Sequence, residues 1–230
     1  MGNEVIVVCR NLEKRLGSRR ILASLNLVLH RGTALAVTGG NGVGKSTLLR
    51  VIASAWGRSG GVLERFGQVV AVSGEPDVRI GYVGHQSLLY PSLTLYENLA
   101  LYGRLLKLPD LGQRLNQVIS QLQLTCYAHD VVGSYSRGTL QRAALARLFM
   151  SPAELWVMDE PFTGLDCGGQ QIVTEMMLEA KRQGKTIVLT SHQLPEVQGI
   201  VDAVAELKGG RFARWWRVDG PAILKNEVTL

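Results

Sequence analysis

Hydrophobic and polar residues recur with different periods along the first part of the chain, and each period predicts an element. Over residues 21–30 apolar positions alternate with mostly polar ones, which predicts a half-buried strand and an antiparallel sheet near the N-terminus. Residues 33–38 form a short apolar run between glycines, as expected of a strand buried on both faces. The apolar spacing over residues 45–53 then favours a helix.

The middle of the chain changes from short strands to helices. Residues 57–84 are rich in glycine and valine, which predicts short strands and turns. From residue 94 to residue 124 apolar residues recur every three or four positions, with a break at Pro109 and Asp110. We therefore expect two helices here, inserted between strands.

Helices and strands alternate in the last part of the chain, which predicts a parallel sheet and an α/β fold. The expected helices cover residues 136–150, 169–182 and 195–200, and the expected strands cover residues 155–158, 186–190 and 203–207. Residues 211–217 contain two tryptophans between arginines, which would suit a membrane interface. A final strand is the favoured interpretation, because a turn with two glycines precedes them.

The composition argues against a disordered chain, collagen-like repeats and a coiled coil. The chain has 230 residues, of which 46% are hydrophobic and 19% charged, as in ordinary globular domains. Its three cysteines lack metal-ligand spacing and fit a reduced cytosolic protein. No apolar run reaches the roughly 18 residues that cross a bilayer, so we expect a chain that neither spans a membrane nor is exported. The net charge of +6 favours anionic binding partners, which could be phosphates, nucleic acid or a membrane surface. The charge alone does not distinguish among these three.

A glycine-rich segment separates the first buried strand from the first helix. It matches the phosphate-loop pattern of Gly, four residues, Gly, Lys and Ser or Thr. Its glycines would let backbone N–H groups surround a phosphate at the positive end of the helix. Lys45 would bridge the β- and γ-phosphates of a nucleotide, and Ser46 would give an oxygen ligand to Mg²⁺. The expected binding residues are Gly39, Gly40, Asn41, Gly42, Val43, Gly44, Lys45, Ser46 and Thr47.

Two carboxylates follow the strand predicted at residues 155–158. Ligands gather at the carboxyl edge of open α/β sheets, which is where Asp159 and Glu160 would lie. Asp159 would orient the Mg²⁺ shell, and Glu160 would accept a proton from an attacking water. The alternative is an acidic turn that caps the next element.

Four further segments resemble motifs of the ATP-binding-cassette (ABC) ATPases and stand in that family's order. Residues 136–139 resemble the signature segment, 163–166 the D-loop, 190–192 the switch histidine and 84–86 the Q-loop. The resemblance covers about residues 5–211. It implies a P-loop NTPase fold, an ABC-type nucleotide-binding domain with an N-terminal antiparallel β subdomain and an inserted helical subdomain.

The resemblance also implies boundaries within this single domain. The core would take residues 1–86 and 151–217, the helical subdomain residues 87–150, and a C-terminal tail residues 218–230. We expect ATP binding to survive removal of the residues after 220.

A site shared by two copies of the chain is a further implication of the resemblance. Ser136 and Gly138 of one subunit would face the γ-phosphate of ATP bound by the other. His192 would hold this phosphate and the attacking water, and Gln86 would contact Mg²⁺ or the water. Asp166 would couple the two sites. The implied catalytic residues are Glu160, His192, Gln86 and Lys45, and the implied metal ligands are Ser46, Gln86 and Asp159.

Two positions depart from the family's pattern. Arg137 replaces the first glycine of the signature, where it would either add a cation near the phosphate or face solvent. Leu16 falls where an aromatic residue usually stacks on adenine. Without that ring, base stacking is weaker by about 1 kcal/mol, so we expect poor selectivity between ATP and GTP.

The implied partners are a second copy or a homologous cassette and an integral membrane permease, with no nucleic acid expected. Such a subunit would lie on the cytoplasmic face of the bacterial inner membrane. A helix of the permease would then bind at Leu88, Leu89 and Tyr90. The alternative is that these three residues pack in the core of the helical subdomain. The amino-acid sequences of these motifs resemble those of haem-exporter ATPases of cytochrome c maturation. General exporters, a soluble ATPase of iron–sulfur cluster assembly and a nucleic-acid-associated cassette protein are the alternatives.

Overall fold

The structure is a computed structural model that describes residues 4–192, 194–218, 222–223 and 227–230. The α-helices are α1 (Lys45–Ile52), α2 (Leu95–Leu105), α3 (Leu111–Gln121), α4 (Arg137–Phe149) and α5 (Cys167–Arg182). The strands are β1 (Val5–Leu16), β2 (Arg19–His30), β3 (Ala34–Thr38), β4 (Gly60–Arg65), β5 (Gln68–Val69), β6 (Ile80–Val83), β7 (Leu155–Asp159), β8 (Thr186–Thr190), β9 (Ala203–Lys208), β10 (Arg211–Arg217), β11 (Ala222–Ile223) and β12 (Glu227–Thr229).

A seven-stranded sheet forms the centre of the molecule, in the order β11-β10-β9-β3-β8-β7-β6. The five strands from β9 to β6 are parallel to their neighbours, and β10 pairs antiparallel with β9. Every residue of β7 and β8 is buried, as a strand covered on both faces requires. The predicted α/β fold with a parallel sheet is confirmed.

A second, five-stranded sheet has the order β12-β2-β1-β4-β5. Strands β1, β2, β4 and β5 pair antiparallel, which confirms the antiparallel sheet predicted near the N-terminus. Leu25, Leu27 and Leu29 of β2 are fully buried, as their alternation predicted. Strand β1 was not predicted, because several register shifts interrupt its pairing and its burial does not alternate regularly.

The helices follow the predicted pattern except for one segment. Helices α2 and α3 separate around Pro109 and Asp110, as expected. The helix predicted at residues 195–200 is only a 3₁₀ turn at Leu194–Glu196, followed by further turns. The N–H groups of Ile200 and Val201 both bond to the carbonyl of residue 197, so the backbone is satisfied without a continuous helix. None of the helices in the described ranges combines the length and apolar character needed to cross a membrane.

The end of the chain contributes to the core. Strand β12 pairs in parallel with β2, and both Val228 and Leu230 are buried in the cluster beneath this sheet. The expectation of a tail outside the core is therefore wrong for residues 227–230. Residues 211–217 form β10 with Trp215 buried, which confirms the strand interpretation of that segment.

Arg147 of α4 joins three elements around the central sheet. Its Nη2 donates to the carbonyl of Tyr82 in β6 at 3.1 Å, and its guanidinium lies over the ring of Tyr102 in α2, 5.2 Å from the centroid. Burial lowers the pKa of this guanidinium. A single cation thus connects the inserted helices to the edge strand of the sheet.

We expect Val228→Ala to lower the free energy of unfolding by about 1–3 kcal/mol, because it opens a cavity under the N-terminal sheet. Thr229→Ala is the matched control, since Thr229 lies on the exposed side of the same strand. Urea denaturation measures both variants. Equal stabilities for Val228→Ala and Thr229→Ala would contradict the placement of β12 in the core.

Candidate functional site

Parallel pairing brings the carboxyl ends of four strands to one edge of the central sheet. Strand β3 leads into the phosphate loop, β7 ends at Asp159, and β8 ends two residues before His192. Strand β6 ends two residues before His85. Segments that are far apart in the sequence therefore meet at this edge.

The phosphate loop needs glycine at specific points of close approach. A side chain on Gly39, whose φ is 139°, would collide with the carbonyl oxygen of Leu207. Gly44 has a φ of 111° and precedes α1, which has no side-chain cap. The first N–H groups of α1 are thus left for an anionic ligand, as at other helix N-termini that bind phosphate.

Lys45 is buried and turned back on its own loop. Its Nζ donates to the carbonyls of Gly39 at 2.8 Å and Gly40 at 3.1 Å. Burial lowers the pKa of Lys45, and the charges of Glu160 and Asp159 oppose that shift. Carbonyl groups only partly compensate a desolvated ammonium, so a phosphate oxygen would be a stronger partner.

A cavity of about 230 Å³ lies against the loop and brings several predicted residues together. Its lining residues are Ile21, Asn41, Gly42, Gly44, Lys45, Ser46, Thr47, His85, Glu160 and His192. The predicted site residues that do not line it are Gly39, Gly40, Val43, Gln86, Ser136, Gly138, Asp159 and Asp166. A larger cavity of about 820 Å³, beside α3 and α5, contains none of the predicted site residues.

Asp159 lies beneath this cavity with its carboxylate fully buried. Its Oδ1 accepts a hydrogen bond from Thr190 Oγ1 at 2.7 Å, and the same hydroxyl accepts from the N–H of Glu160 at 2.9 Å. Asp159 Oδ2 has no hydrogen-bond partner among the described residues and lies 3.6 Å from His85 Nε2. A buried oxygen of this kind suits a metal ion, because an unpaired buried charge is costly.

Glu160 is held between two neighbours. His192 Nε2 lies 2.7 Å from Glu160 Oε1, and Thr163 Oγ1 donates to Glu160 Oε2 at 3.3 Å. The backbone of Glu160 has a φ of 55°, a left-handed conformation that non-glycine residues rarely adopt. The contacts with His192 and Thr163 hold the Glu160 carboxylate at the cavity wall.

Ser136, Gly138 and Asp166 lie outside this cavity and make contacts of their own. Ser136 caps α4 by accepting from the N–H of Thr139 at 3.2 Å, and Asp166 caps α5 by accepting from the N–H of Gly169 at 2.8 Å. A Cβ on Gly138 would lie 2.7 Å from the carbonyl oxygen of residue 164. The segments predicted as signature and D-loop therefore pack against each other within one chain.

Two residues at the site were not singled out from the sequence. His85 lines the cavity, whereas its neighbour Gln86 is exposed and does not. Thr190 binds the carboxylate of Asp159 and the backbone N–H of Glu160, although within the predicted segment 190–192 only His192 was assigned a role. The sequence signal that could have found His85 is a histidine within two residues of the end of a strand at the ligand edge.

Comparison with known proteins identifies the family of this chain. The family model described as ABC transporter matches residues 22–163. The cytochrome c biogenesis ATP-binding export protein CcmA of Salmonella typhi is 34% identical over 210 residues, which cover 87% of this chain and 97% of that protein. The ABC transporter ATP-binding protein NatA of Bacillus subtilis is 33% identical over 195 residues, or 83% of this chain and 79% of that protein.

Solved structures agree with the sequence matches. The ATP-binding subunit of an ABC transporter superposes with a TM-score of 0.84 at 25% identity, covering 93% of this chain and 90% of the other. A dimeric ATP-binding cassette in a post-hydrolysis state, bound to ADP and Pi, also has a TM-score of 0.84, at 23% identity, covering 94% of this chain and all of that one. With this fold, these matches and the phosphate-loop site, the chain belongs to the ABC transporter family as an ATP-binding subunit of the ATPase type.

Proposed function

We propose that the chain binds and hydrolyses ATP in the phosphate-loop cavity and drives a separate membrane subunit. The observation that carries this proposal is the shared cavity wall of Lys45, Glu160 and His192. An ammonium, a carboxylate and an imidazole at one edge supply phosphate binding, a base and a group that orients the phosphate.

ATP binding would exchange contacts that the loop now makes with itself. Lys45 would leave the carbonyls of Gly39 and Gly40 for the β- and γ-phosphates, and the uncapped N-terminus of α1 would donate its N–H groups. Asn41 and Thr47 line the same cavity and would add polar contacts. For Lys45 this exchange replaces neutral acceptors with an anionic one, which strengthens the hydrogen bond.

The residues present fit Mg²⁺. Asp159 Oδ2 is buried without a hydrogen-bond partner in the described chain, and Ser46 in the first turn of α1 lines the cavity. Ser46, Asp159 and Gln86 would hold the ion. When bound, Mg²⁺ neutralises charge on the β- and γ-phosphates of ATP.

Glu160 would accept the proton of the water that attacks the γ-phosphate. His192, 2.7 Å from its carboxylate, would keep that carboxylate in place and face the phosphate, and Thr163 would fix its other oxygen. Restricting both oxygens limits the rotation of the side chain, so the base is oriented before the water arrives.

A second copy of the chain would complete the site. Ser136 and Gly138 do not line the cavity of their own chain, so they would contact ATP only across an interface. Asp166 lies in the loop that packs against Gly138 and would therefore reach the same interface. The similar cassette that is dimeric with ADP and Pi supports this arrangement.

The membrane partner would bind beside the inserted helices. Leu88 and Tyr90 are 56% and 59% exposed, which suits apolar anchors for a helix of a permease. Leu89 is buried in the core, so its predicted role as an anchor is withdrawn. The chain would then work at the cytoplasmic face of a bacterial inner membrane, and its similarity to CcmA favours a haem exporter of cytochrome c biogenesis.

We expect Glu160→Gln to bind ATP normally but to hydrolyse it at least about a hundredfold more slowly, because the proton acceptor is lost. The variant should also form a stable dimer with Mg-ATP. Phosphate release and light scattering measure the two effects. Glu175→Gln on the exposed face of α5 is the control, and hydrolysis by Glu160→Gln at the control's rate would refute the assignment.

The shared site predicts complementation between two inactive variants. Lys45→Ala removes phosphate binding, and Ser136→Arg blocks the surface presented to the other subunit. Mixed dimers contain one intact site, so we expect part of the ATPase activity to return when the two proteins are mixed. If activity stays at the level of the separate variants, the two residues act on the same site within one chain.

Leu16 at the end of β1 is 44% exposed, and we expect it to contact the base weakly. ATP should then outcompete GTP by less than about a hundredfold, and Leu16→Tyr should tighten ATP binding by up to about tenfold through stacking. Competition binding measures both quantities. Leu105→Tyr, at an exposed position of α2, is the control, and equal effects of the two substitutions would exclude a base contact at residue 16.

A further inference from the structure

His85 extends the carboxylate pair into a cluster of three metal-binding side chains. One ring nitrogen of His85, one oxygen of Asp159 and one oxygen of Glu160 all lie within 4.8 Å of one another. Ligands about 2.1 Å from a common ion are about 3.0–4.2 Å apart. The 3.6 Å between His85 Nε2 and Asp159 Oδ2 falls in that range, so these two atoms already have the spacing of a ligand pair.

The buried oxygen of Asp159 is the second observation that points to a cation. Oδ2 is inaccessible to solvent and accepts no hydrogen bond within the described residues, while Oδ1 is fixed by Thr190. A buried carboxylate oxygen without a donor is costly, and a cation between it and His85 would relieve that cost.

The type of ligand decides which cation fits. Carboxylates and water suffice for Mg²⁺, whereas an imidazole nitrogen favours Zn²⁺ and other transition-series ions. Three protein ligands and one open position for water are the usual composition of a reactive zinc site. The His85 side chain is 53% exposed, so its ring can turn toward an ion without disturbing the core.

We propose that His85, Asp159 and Glu160 bind a transition-series divalent cation, Zn²⁺ above all, in the absence of nucleotide. The ion binds the Glu160 carboxylate and one oxygen of Asp159. It therefore competes with the proposed use of both groups in Mg-ATP hydrolysis, and the site is inhibitory. Binding to the nucleotide-free chain does not depend on the proposed hydrolysis.

The test is calorimetric titration of the nucleotide-free, untagged full chain with Zn²⁺. Because Cys126 and Cys167 are exposed thiols, all proteins carry Cys126→Ser and Cys167→Ser. Cys9 is left in place, since burial raises the pKa of its thiol to about 12 and keeps it protonated. Thermal unfolding confirms that each variant is folded.

The matched variants are His85→Gln and His129→Gln, which change two exposed histidines, the second of them outside the cavity. We expect one Zn²⁺ per chain, affinity at least about tenfold weaker in His85→Gln, and a change of less than about threefold in His129→Gln. Asp159→Asn should also lose binding. Equal affinity of His85→Gln and the parent, or a loss confined to His129→Gln, would overturn the site.

A second readout links the ion to hydrolysis. Zn²⁺ should inhibit Mg-ATP hydrolysis by the parent protein, and His85→Gln should need at least about tenfold more Zn²⁺ for the same inhibition. If ATP hydrolysis is normal but Zn²⁺ binds His85→Gln as tightly as the parent protein, this inference is wrong and the proposed function stands. If Zn²⁺ binding depends on His85 but the chain has no ATPase activity, the zinc site stands and the proposed function is wrong.

Discussion

The parallel pairing of β7, β8 and β3 is the constraint on which the candidate site depends. Asp159 is paired with Thr190 across β7 and β8, and Val37 is paired with Thr190 across β8 and β3. Thr190 thus stands beside the end of both neighbouring strands, where its hydroxyl binds Asp159 and the N–H of Glu160. A shift of one residue in either pairing would turn these side chains to the opposite face of the sheet.

The groups held at this edge are charged, and their charges are poorly compensated in the free protein. Within the described residues, the hydrogen bonds of Lys45 Nζ all go to backbone carbonyls, and one oxygen of Asp159 accepts no hydrogen bond. Both groups are buried, so water does not screen them well. The core of the sheet supplies the stability that keeps them in place, and a ligand of complementary charge lowers the energy of each.

Sequence patterns predicted those parts of the site that depend on local spacing. The phosphate loop is contiguous, and Asp159 and Glu160 directly follow a buried strand, so both could be located without tertiary contacts. His85 escaped prediction because its significance depends on Asp159, more than seventy residues away, through the pairing of β6 with β7. The same limit applies to β12, whose burial depends on β2 at the other end of the chain.

Arg147 has a mechanical consequence for the segment that contains His85 and Gln86. If α2 shifted relative to β6, the guanidinium would leave either the ring of Tyr102 or the carbonyl of Tyr82. Losing the carbonyl would strand a desolvated cation at a cost of about 1–3 kcal/mol. A movement of the inserted helices would therefore also displace the end of strand β6. The segment with His85 and Gln86 follows that strand directly, so the displacement would reach the ligand edge of the sheet.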